Sequence, residues 1–210
     1  MGFKPSFNPD TGRIKVQVRL SYFNGFKKTK SSEKSRELFR TNGLIDQKSD
    51  EGKASEKVIK KALKHCFEQA WAGKDFDKMW GGFDWDKKGL LDGNKYTTDD
   101  GDIRDHYEDQ WFLKLTTDKK PKFYRRNGEV LDLSDDDDRA EAEDLFQSGH
   151  HAIAYFHVYA QKDKEKGGPA IFASWDGLQF FKRDEKFGGG GMDDDEVEKL
   201  EDDEDEDDDL

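Results

Sequence analysis

The last eighteen residues of the chain carry so much charge of one sign that they cannot join a folded core. Residues 193–210 contain fourteen acidic residues and one lysine, a net charge of −13, against −12 for the whole chain of 210 residues. Like charges repel, and the segment offers only Val197, Leu200 and Leu210 as apolar side chains, so we predict that it is disordered. The rest of the chain is nearly neutral, and its length of about 190 residues suits a single domain.

Residues 14–23, with the sequence IKVQVRLSYF, alternate strictly between two kinds of side chain. A period of two is typical of a β-strand with one buried face. A turn follows at Asn24 and Gly25, a basic loop covers residues 27–34, and residues 35–45 return as a second strand. On the first strand we expect a buried face formed by Ile14, Val16, Val18, Leu20 and Tyr22 and an outer face formed by Lys15, Gln17, Arg19, Ser21 and Phe23.

The order of the remaining elements predicts the fold class. An amphipathic helix has its apolar side chains at Ile59, Leu63, Cys66, Phe67, Ala70 and Trp71 and ends near Gly73. Residues 75–102 lack periodicity and are expected to form a long ordered loop or short turns. Strands are predicted at 110–116, 122–126, 149–161 and 169–183, with a short acidic helix at 135–146. Because strands and helices do not alternate regularly, we predict a mainly β fold, an antiparallel barrel decorated by helices, rather than a doubly wound sheet.

Four consecutive glycines at 188–191 follow the last predicted strand and mark the domain boundary. Glycine-rich segments behave as flexible linkers. We therefore divide the chain into a folded domain at residues 1–187 and a glycine hinge with a disordered acidic tail at residues 188–210.

Several classes of chemistry find no support in the sequence. Cys66 is the only cysteine, which excludes an internal disulfide and favours a reducing compartment such as the cytoplasm. No segment approaches the roughly 18 apolar residues of a membrane span, so no membrane partner is expected. A calcium-loop pattern in residues 84–95 fails because lysines stand at two ligand positions, and His151 and His157 would lie about 20 Å apart along one strand. We predict no metal, no cofactor, no catalytic residue and no enzymatic activity.

Basic and aromatic residues are interleaved along the chain in a way that favours single-stranded nucleic acid. Residues 1–64 hold sixteen basic and seven acidic residues, and the whole chain holds sixteen Phe, six Tyr and five Trp. Cations can follow a phosphate backbone while rings stack on exposed bases, although each ring taken alone is as well explained by the core. The candidate phosphate ligands are Lys15, Arg19, Lys27, Lys28, Arg125 and Arg126, and the candidate stacking rings are Phe23, Trp111, Tyr124, Tyr155 and Tyr159.

The order of several sequence segments resembles a known family. These segments are RIKVQVRLSYF, VIKKALKHCFEQAW, LLDGNKY, KPKFYRRNGEVLDLSD, FQSGHHAIAYFHVYA and GPAIFASWDGLQFFKRDEKFGGG before the acidic run. Together they resemble bacteriophage single-stranded-DNA-binding proteins of the type found in an Enterobacter phage, and more distantly the acidic-tailed replication proteins of podoviruses. The resemblance implies an oligonucleotide/oligosaccharide-binding (OB) barrel, sequence-tolerant binding of single-stranded DNA during phage replication and recombination in the infected host cytoplasm, and a tail that recruits replication enzymes.

The acidic tail leaves two readings of the chain open. In the first, the tail competes with DNA for the basic groove and uses Asp207, Asp208, Asp209 and Leu210 to contact replication enzymes such as a polymerase or helicase. In the second, the tail mimics nucleic acid and occupies a basic protein partner, with the barrel as a scaffold. A metal-dependent nuclease is disfavoured because the carboxylates occur in runs. A homodimer is compatible with the sequence, which does not fix the oligomeric state.

Overall fold

The computed structural model describes residues 3–33, 35–163, 165 and 167–187. The predicted glycine hinge and acidic tail lie outside the described residues. The strands are β1 (Ser6–Phe7), β2 (Ile14–Thr29), β3 (Leu38–Asp46), β4 (Leu91–Asp92), β5 (Gln110–Thr117), β6 (Lys122–Tyr124), β7 (Val130–Leu131), β8 (His151–Gln161) and β9 (Ala170–Lys182). The helices are α1 (Asp50–Ala70), α2 (Phe76–Gly81) and α3 (Asp136–Leu145), with two 3₁₀ turns at Trp85–Lys87 and Gly93–Lys95.

Five of the strands close into a barrel. The hydrogen-bonded order is β5, β3, β2, β8 and β9, and a parallel contact between Leu115 of β5 and Ala173 of β9 closes the ring. The other pairs of the ring are antiparallel. This arrangement confirms the predicted mainly β, OB-like barrel with helical decoration. Strand β6 extends the barrel by pairing in parallel with β9.

The barrel interior and helix α1 form one hydrophobic core. Trp175, Phe156 and Leu113 fill the interior, and α1 contributes Ile59 and Phe67. Alternating side chains of the closed strands point inward, as a small barrel requires. A second, smaller cluster lies outside the barrel wall, where residues of the long segment between α1 and β5 cover Leu44 and Phe112. The apolar positions of α1 therefore face the core as the helical period predicts.

Helix α1 begins where its sequence permits a close approach to the barrel. The Ser49 hydroxyl caps the helix by accepting a hydrogen bond from the backbone N–H of Gly52 at 3.0 Å. A Cβ atom at position 52 would lie 1.7 Å from the carbonyl oxygen of Asp46 at the end of β3. Only glycine fits this position, so Gly52 fixes the start of α1 against β3. In the part of the chain that the structure describes, no helix is both long and apolar enough to cross a membrane.

A β-bulge at Tyr22 reverses the alternation of β2. Ile14, Val16, Val18 and Leu20 are buried as predicted, but Ser21 is also buried and Tyr22 is 52% exposed. Tyr22 has a φ of +47°, and the register with β3 shifts between Ser21 and Asn24. The sequence-based assignment of Tyr22 to the buried face and of Ser21 to the outer face is therefore wrong.

Candidate nucleic-acid interface

Aromatic rings and cations lie side by side on a surface formed by the bulge of β2, the segment between α1 and β5, and β5 itself. Tyr22 stacks on Tyr107 with 6.2 Å between ring centroids, and Tyr107 contacts Tyr96 at 4.9 Å. The Lys114 ammonium lies 5.8 Å from the Tyr96 ring and 5.4 Å from the Trp85 ring. We call the surface formed by Tyr22, Tyr96, Arg104, Lys114, Tyr159 and Phe172 the front face.

Buried hydrogen bonds between side chains hold the front face in place. Tyr107 is fully buried, and its hydroxyl donates a hydrogen bond to Ser21 Oγ at 3.1 Å and accepts one from Asn42 Nδ2 at 2.6 Å. Burial raises the pKa of Tyr107 to about 12. The phenol is therefore neutral under ordinary conditions, and it fixes the bulge of β2 to β3 behind the exposed ring of Tyr22.

The front face ends in a groove of about 300 Å³ between β5 and β9. Lys88, Lys114, Tyr159 and Phe172 line it, and the rings of Tyr159 and Phe172 lie 6.0 Å apart. Tyr159 is 44% exposed, so its ring is accessible from the groove. Small barrels of this type bind oligonucleotides across the outer face of their second and third strands, which here are β3 and β5.

The two cations of the front face lie against aromatic rings. Burial lowers the pKa of the Lys114 ammonium, and Asp86 opposes that effect. Arg104 stacks over Tyr96 at 4.8 Å, and its Nε donates to the carbonyl oxygen of Thr97 at 3.2 Å. A partly desolvated cation gains more from an added phosphate than a fully hydrated one, because its charge is less screened. The surface is suited to an anionic ligand that also offers flat rings.

Four of the residues predicted from the sequence share a different surface, over β2, β6 and β8. Lys15 lies 5.6 Å over the ring of Tyr155, and Tyr124 lies 6.1 Å from the same ring. The Tyr155 hydroxyl donates to Gln179 Oε1 at 2.7 Å, and Gln179 Nε2 donates to the carbonyl oxygen of Arg126. We call the surface of Lys15, Tyr124, Arg126 and Tyr155 the side face. It borders a second groove, of about 520 Å³.

Three of the predicted residues are used within the protein itself. The Phe23 ring packs among Phe26, Phe123 and Phe146, with centroid distances of 5.2, 6.2 and 6.5 Å, because the bulge turns it inward. Arg125 donates hydrogen bonds to Glu141 of α3 at 2.7 Å and to Asp138 at 2.6 Å. Its charge is matched by two carboxylates.

Arg19 is the third, and it holds the segment that follows β9. Its Nε donates to the carbonyl oxygen of Gly149 at 2.8 Å and its Nη2 to that of Glu185 at 2.9 Å. The guanidinium also lies 4.3 Å over the ring of Phe187. Phe23, Arg19 and Arg125, which the sequence predicts to contact nucleic acid, therefore make their observed contacts within the protein.

The remaining predicted residues are dispersed. Lys27 and Lys28 are exposed near the end of β2, where the Lys28 ammonium lies 5.6 Å from the ring of Phe39. Trp111 lies at the start of β5 beneath Lys60, whose ammonium is 5.4 Å from the indole ring. Tyr159 is the one predicted ring on the front face. The structure thus does not gather the eleven predicted residues in one groove.

Sequence reasoning missed most of the front face because the segment between α1 and β5 has no periodicity. Tyr96 and Arg104 lie in that segment, and Lys114 lies on β5, where the sequence alone does not distinguish a ligand-binding lysine from any other exposed lysine. The one available signal was the outward position of Lys114 and Thr116 on β5. Tyr22 could not be found, because its exposure depends on the bulge.

The described residues also bear on two other kinds of site, a metal site and a reactive thiol. Among them, no group of three or more His, Cys, Asp or Glu side chains is arranged to hold a metal ion. Burial raises the pKa of the Cys66 thiol, which keeps it in its unreactive protonated form.

Comparison with known proteins identifies relatives of the chain. The family model described as Enterobacter phage Enc34, ssDNA-binding protein, matches residues 12–210. Among solved structures, the chain is similar to the single-stranded DNA-binding protein from bacteriophage Enc34 in complex with ssDNA, with 20% identity, a TM-score of 0.66, and coverage of 85% of this chain and 90% of that one. A structure described only as that phage protein gives 19% identity and a TM-score of 0.64, covering 92% of this chain and 97% of that one.

A weaker likeness is to gp2.5, a single-stranded DNA-binding protein encoded by bacteriophage T7, with 13% identity and a TM-score of 0.47, covering 89% of this chain and 96% of that one. Among curated proteins, no sequence matches this chain. At these identities the Enc34 structures establish a shared fold.

Proposed function

The chain belongs to the family of the Enterobacter phage Enc34 ssDNA-binding protein, and from this premise we propose that its front face binds single-stranded DNA. The function is binding rather than catalysis. The protein coats single strands during phage DNA replication and recombination in the cytoplasm of the infected bacterium.

One observation carries this proposal: a series of ring and cation contacts runs from the exposed Tyr22 to Lys114, and Lys114 lines the same groove as a second exposed tyrosine, Tyr159. Tyr22 and Tyr159 are 52% and 44% exposed, so both rings are accessible to a ligand. Lys114 and Arg104 lie beside Tyr96. Base stacking on rings and phosphate attraction to cations are the two requirements of single-strand binding.

The same arrangement supports weak sequence preference. Every base has a flat face that can stack on a tyrosine, and every nucleotide carries the same phosphate. Base-specific reading needs side chains held against base edges, whereas stacking on the rings of the front face does not distinguish one base from another. The side face, with Lys15, Tyr124, Arg126 and Tyr155, and the loop lysines Lys27 and Lys28 are proposed as secondary contacts.

Binding should weaken steeply with salt, and Lys114 should account for part of that slope. Each phosphate neutralised on a single strand contributes about −0.7 to the slope of log K against log salt. We expect Lys114→Gln to make the slope shallower by about 0.7, as measured by fluorescence anisotropy of a labelled oligonucleotide between roughly 50 and 200 mM salt.

The matched control for this measurement is Lys74→Gln, which removes an exposed lysine from the turn after α1. Its slope should equal that of the unmodified protein. A slope that is flat in the unmodified protein would reject phosphate contacts as the source of affinity. An absence of oligonucleotide binding together with tight binding to a basic protein would favour the nucleic-acid mimic.

We further propose that the acidic tail competes with DNA for the front face. The last described residue, Phe187, stacks on His106 at 3.8 Å and packs beside the cluster that contains Tyr107. The described part of the chain therefore ends at the edge of the front face. A tethered anion at this position would compete at an effective concentration on the order of mM.

Deleting residues 193–210 should therefore tighten binding to single strands, most strongly at low salt. The matched control keeps the length of the tail and replaces its Asp and Glu residues by Asn and Gln, and it should tighten binding equally. Anisotropy titrations of the three proteins measure the effect. An unchanged affinity after deletion would mean that the tail does not occupy the front face.

When DNA fills the front face, the displaced tail is free to meet other proteins. We propose that Asp207, Asp208, Asp209 and Leu210 contact replication enzymes such as a polymerase or helicase. The combination of three carboxylates with an apolar leucine suits a basic pocket with an apolar floor on such a partner.

A further inference from the structure

A recess beside helix α1 combines lysines with tryptophans and has no role in the function described so far. It lies between α1, α2 and the start of β5 and has a volume of about 720 Å³. Phe76, Trp80 and Trp111 form its walls, and Lys60, Lys61 and Lys64 lie along its rim. We call this site the α1 recess. Its size is within the range of sites that accept small ligands or parts of polymers.

The rim of the α1 recess is strongly basic. Lys88 and Lys95 also line it, against the two carboxylates of Asp77 and Asp92. The Asp92 carboxylate already has hydrogen-bond partners, since its Oδ1 accepts hydrogen bonds from Gln47 Nε2 and from the backbone N–H of Asn94. The balance of charge in the recess therefore favours an anion.

Among the described residues, carboxylates engage one of the three rim lysines. Lys60 pairs with Glu56 at 2.6 Å, one turn earlier on α1. Within the described ranges, neither Lys61 nor Lys64 has a carboxylate within 4.0 Å. Both side chains are exposed. Two cations on the rim are thus available to a ligand without breaking an existing ion pair.

The walls of the recess offer rings in the same arrangement as the front face. Phe76 and Trp80 are stacked, with 5.4 Å between centroids and 21° between planes. The Lys88 ammonium lies 5.8 Å over Trp80, and the Lys60 ammonium lies 5.4 Å over Trp111. Rings beside cations are the combination that single strands require, because bases stack while phosphates are neutralised.

The α1 recess is continuous with the front face. Lys88 lines both the recess and the groove that holds Tyr159. Trp85 lines the recess on one side and meets the ammonium of Lys114 on the other, at 5.4 Å. A polymer that crosses the front face can therefore enter the recess past Lys88 without leaving a surface of rings and cations.

We propose that the α1 recess is a second contact site for single-stranded DNA, which extends the strand's path from the front face along α1. This inference rests on the proposed function, because the strand reaches the recess from the front face. The front face binds short strands by itself. Strands long enough to pass Lys88 gain additional stacking on Trp80 or Trp111 and additional phosphate contacts with Lys60, Lys61 and Lys64.

The test compares two triple variants of the full-length protein on two strand lengths. Lys60, Lys61 and Lys64 are changed to alanine in the first variant, and Lys53, Lys57 and Lys74 in the second. Both variants lose three exposed lysines, and in each one lysine has a carboxylate partner, Lys60 with Glu56 and Lys53 with Asp50. Oligothymidylates of about 6 and about 20 nucleotides are used, because OB folds cover about 4–16 nucleotides.

The recess triple should lower the affinity for the long strand at least about tenfold at 0.1 M salt and should make the salt slope shallower by about 0.7 for each lysine that contacts a phosphate. Its affinity for the short strand should change less than about twofold, and the control triple should change neither affinity by more than that. Failure of the unmodified protein to bind the short strand would reject the proposed function of the front face, separately from this inference.

Three outcomes would overturn the inference. An equal loss in both triples would assign the effect to net charge, and an unchanged affinity of the recess triple for the long strand would exclude the contact. In a third experiment, a synthetic peptide of residues 193–210 is added to each protein. If only the recess triple fails to bind the peptide, and its affinity for the long strand is unchanged, the recess is a site for the acidic tail. If the triple unfolds, as judged by circular dichroism, Lys61→Ala with Lys64→Ala provides the same test without disturbing the pair of Lys60 and Glu56.

Discussion

Replacing Tyr22 and Tyr159 together by alanine should lower the affinity for single-stranded DNA about 30-fold or more. Each base stacked on an aromatic ring contributes about 1 to 3 kcal/mol, so losing two rings removes about 2 to 6 kcal/mol. Both rings are about half exposed and lie outside the barrel core, so the variant should remain folded. Anisotropy titration with a labelled oligothymidylate measures the loss, and circular dichroism checks the fold.

The matched control is the double variant Tyr124→Ala with Tyr155→Ala, which removes two tyrosines from the side face. These rings are partly buried, and Tyr155 also donates a hydrogen bond to Gln179. We expect a loss of no more than a few-fold. The reverse result, with a large loss in the side-face variant and little in the other, would move the principal interface to the side face.

Phe123→Ala should destabilise the fold by about 3 to 5 kcal/mol, the usual cost of removing a large buried ring. Phe123 is 1% exposed, and the rings of Phe26, Phe146 and Trp175 pack on it with centroid distances of 4.9, 5.0 and 6.3 Å. Its loss opens a cavity between Trp175 in the barrel, Phe26 on β2 and Phe146 at the end of α3. Urea unfolding monitored by circular dichroism gives the change in free energy.

Val130→Ala serves as the control, because Val130 is 55% exposed on β7, the strand that pairs with β6. Its free energy of unfolding should change by less than about 0.5 kcal/mol, as for most surface substitutions. A loss below about 1 kcal/mol for Phe123→Ala would be far smaller than a buried ring allows and would mean that the aromatic cluster around Phe123 is not formed in solution.

The fold could be predicted from the sequence wherever a regular period extended over many residues. The alternation up to Leu20 located β2, the apolar spacing from Ile59 to Phe67 located α1, and the alternation after His151 located β8. These patterns reflect burial on one face, which is a property of each element alone. The order of the predicted elements also indicated the fold class. Strands and helices do not alternate regularly along the chain, which disfavours a doubly wound sheet and favours a barrel.

The candidate site could be predicted only in part, because it depends on contacts between distant segments. The sequence predicts that Arg125 is free to contact a phosphate. In the structure, however, α3 places Glu141 and Asp138 within hydrogen-bond distance of its guanidinium. Arg19 is matched by residues more than a hundred positions later in the chain. A sequence rich in cations and rings predicts a binding surface. It does not show which of these side chains have partners elsewhere in the folded protein.

The bulge at Tyr22 has a consequence for the evolution and engineering of this protein. A tyrosine with left-handed backbone angles is held at a cost of about 1 to 2 kcal/mol relative to glycine, and here that conformation presents an exposed ring. Selection for thermal stability alone would therefore favour glycine at this position, whereas selection for ligand contact would retain the aromatic residue. The two pressures oppose each other at a single codon.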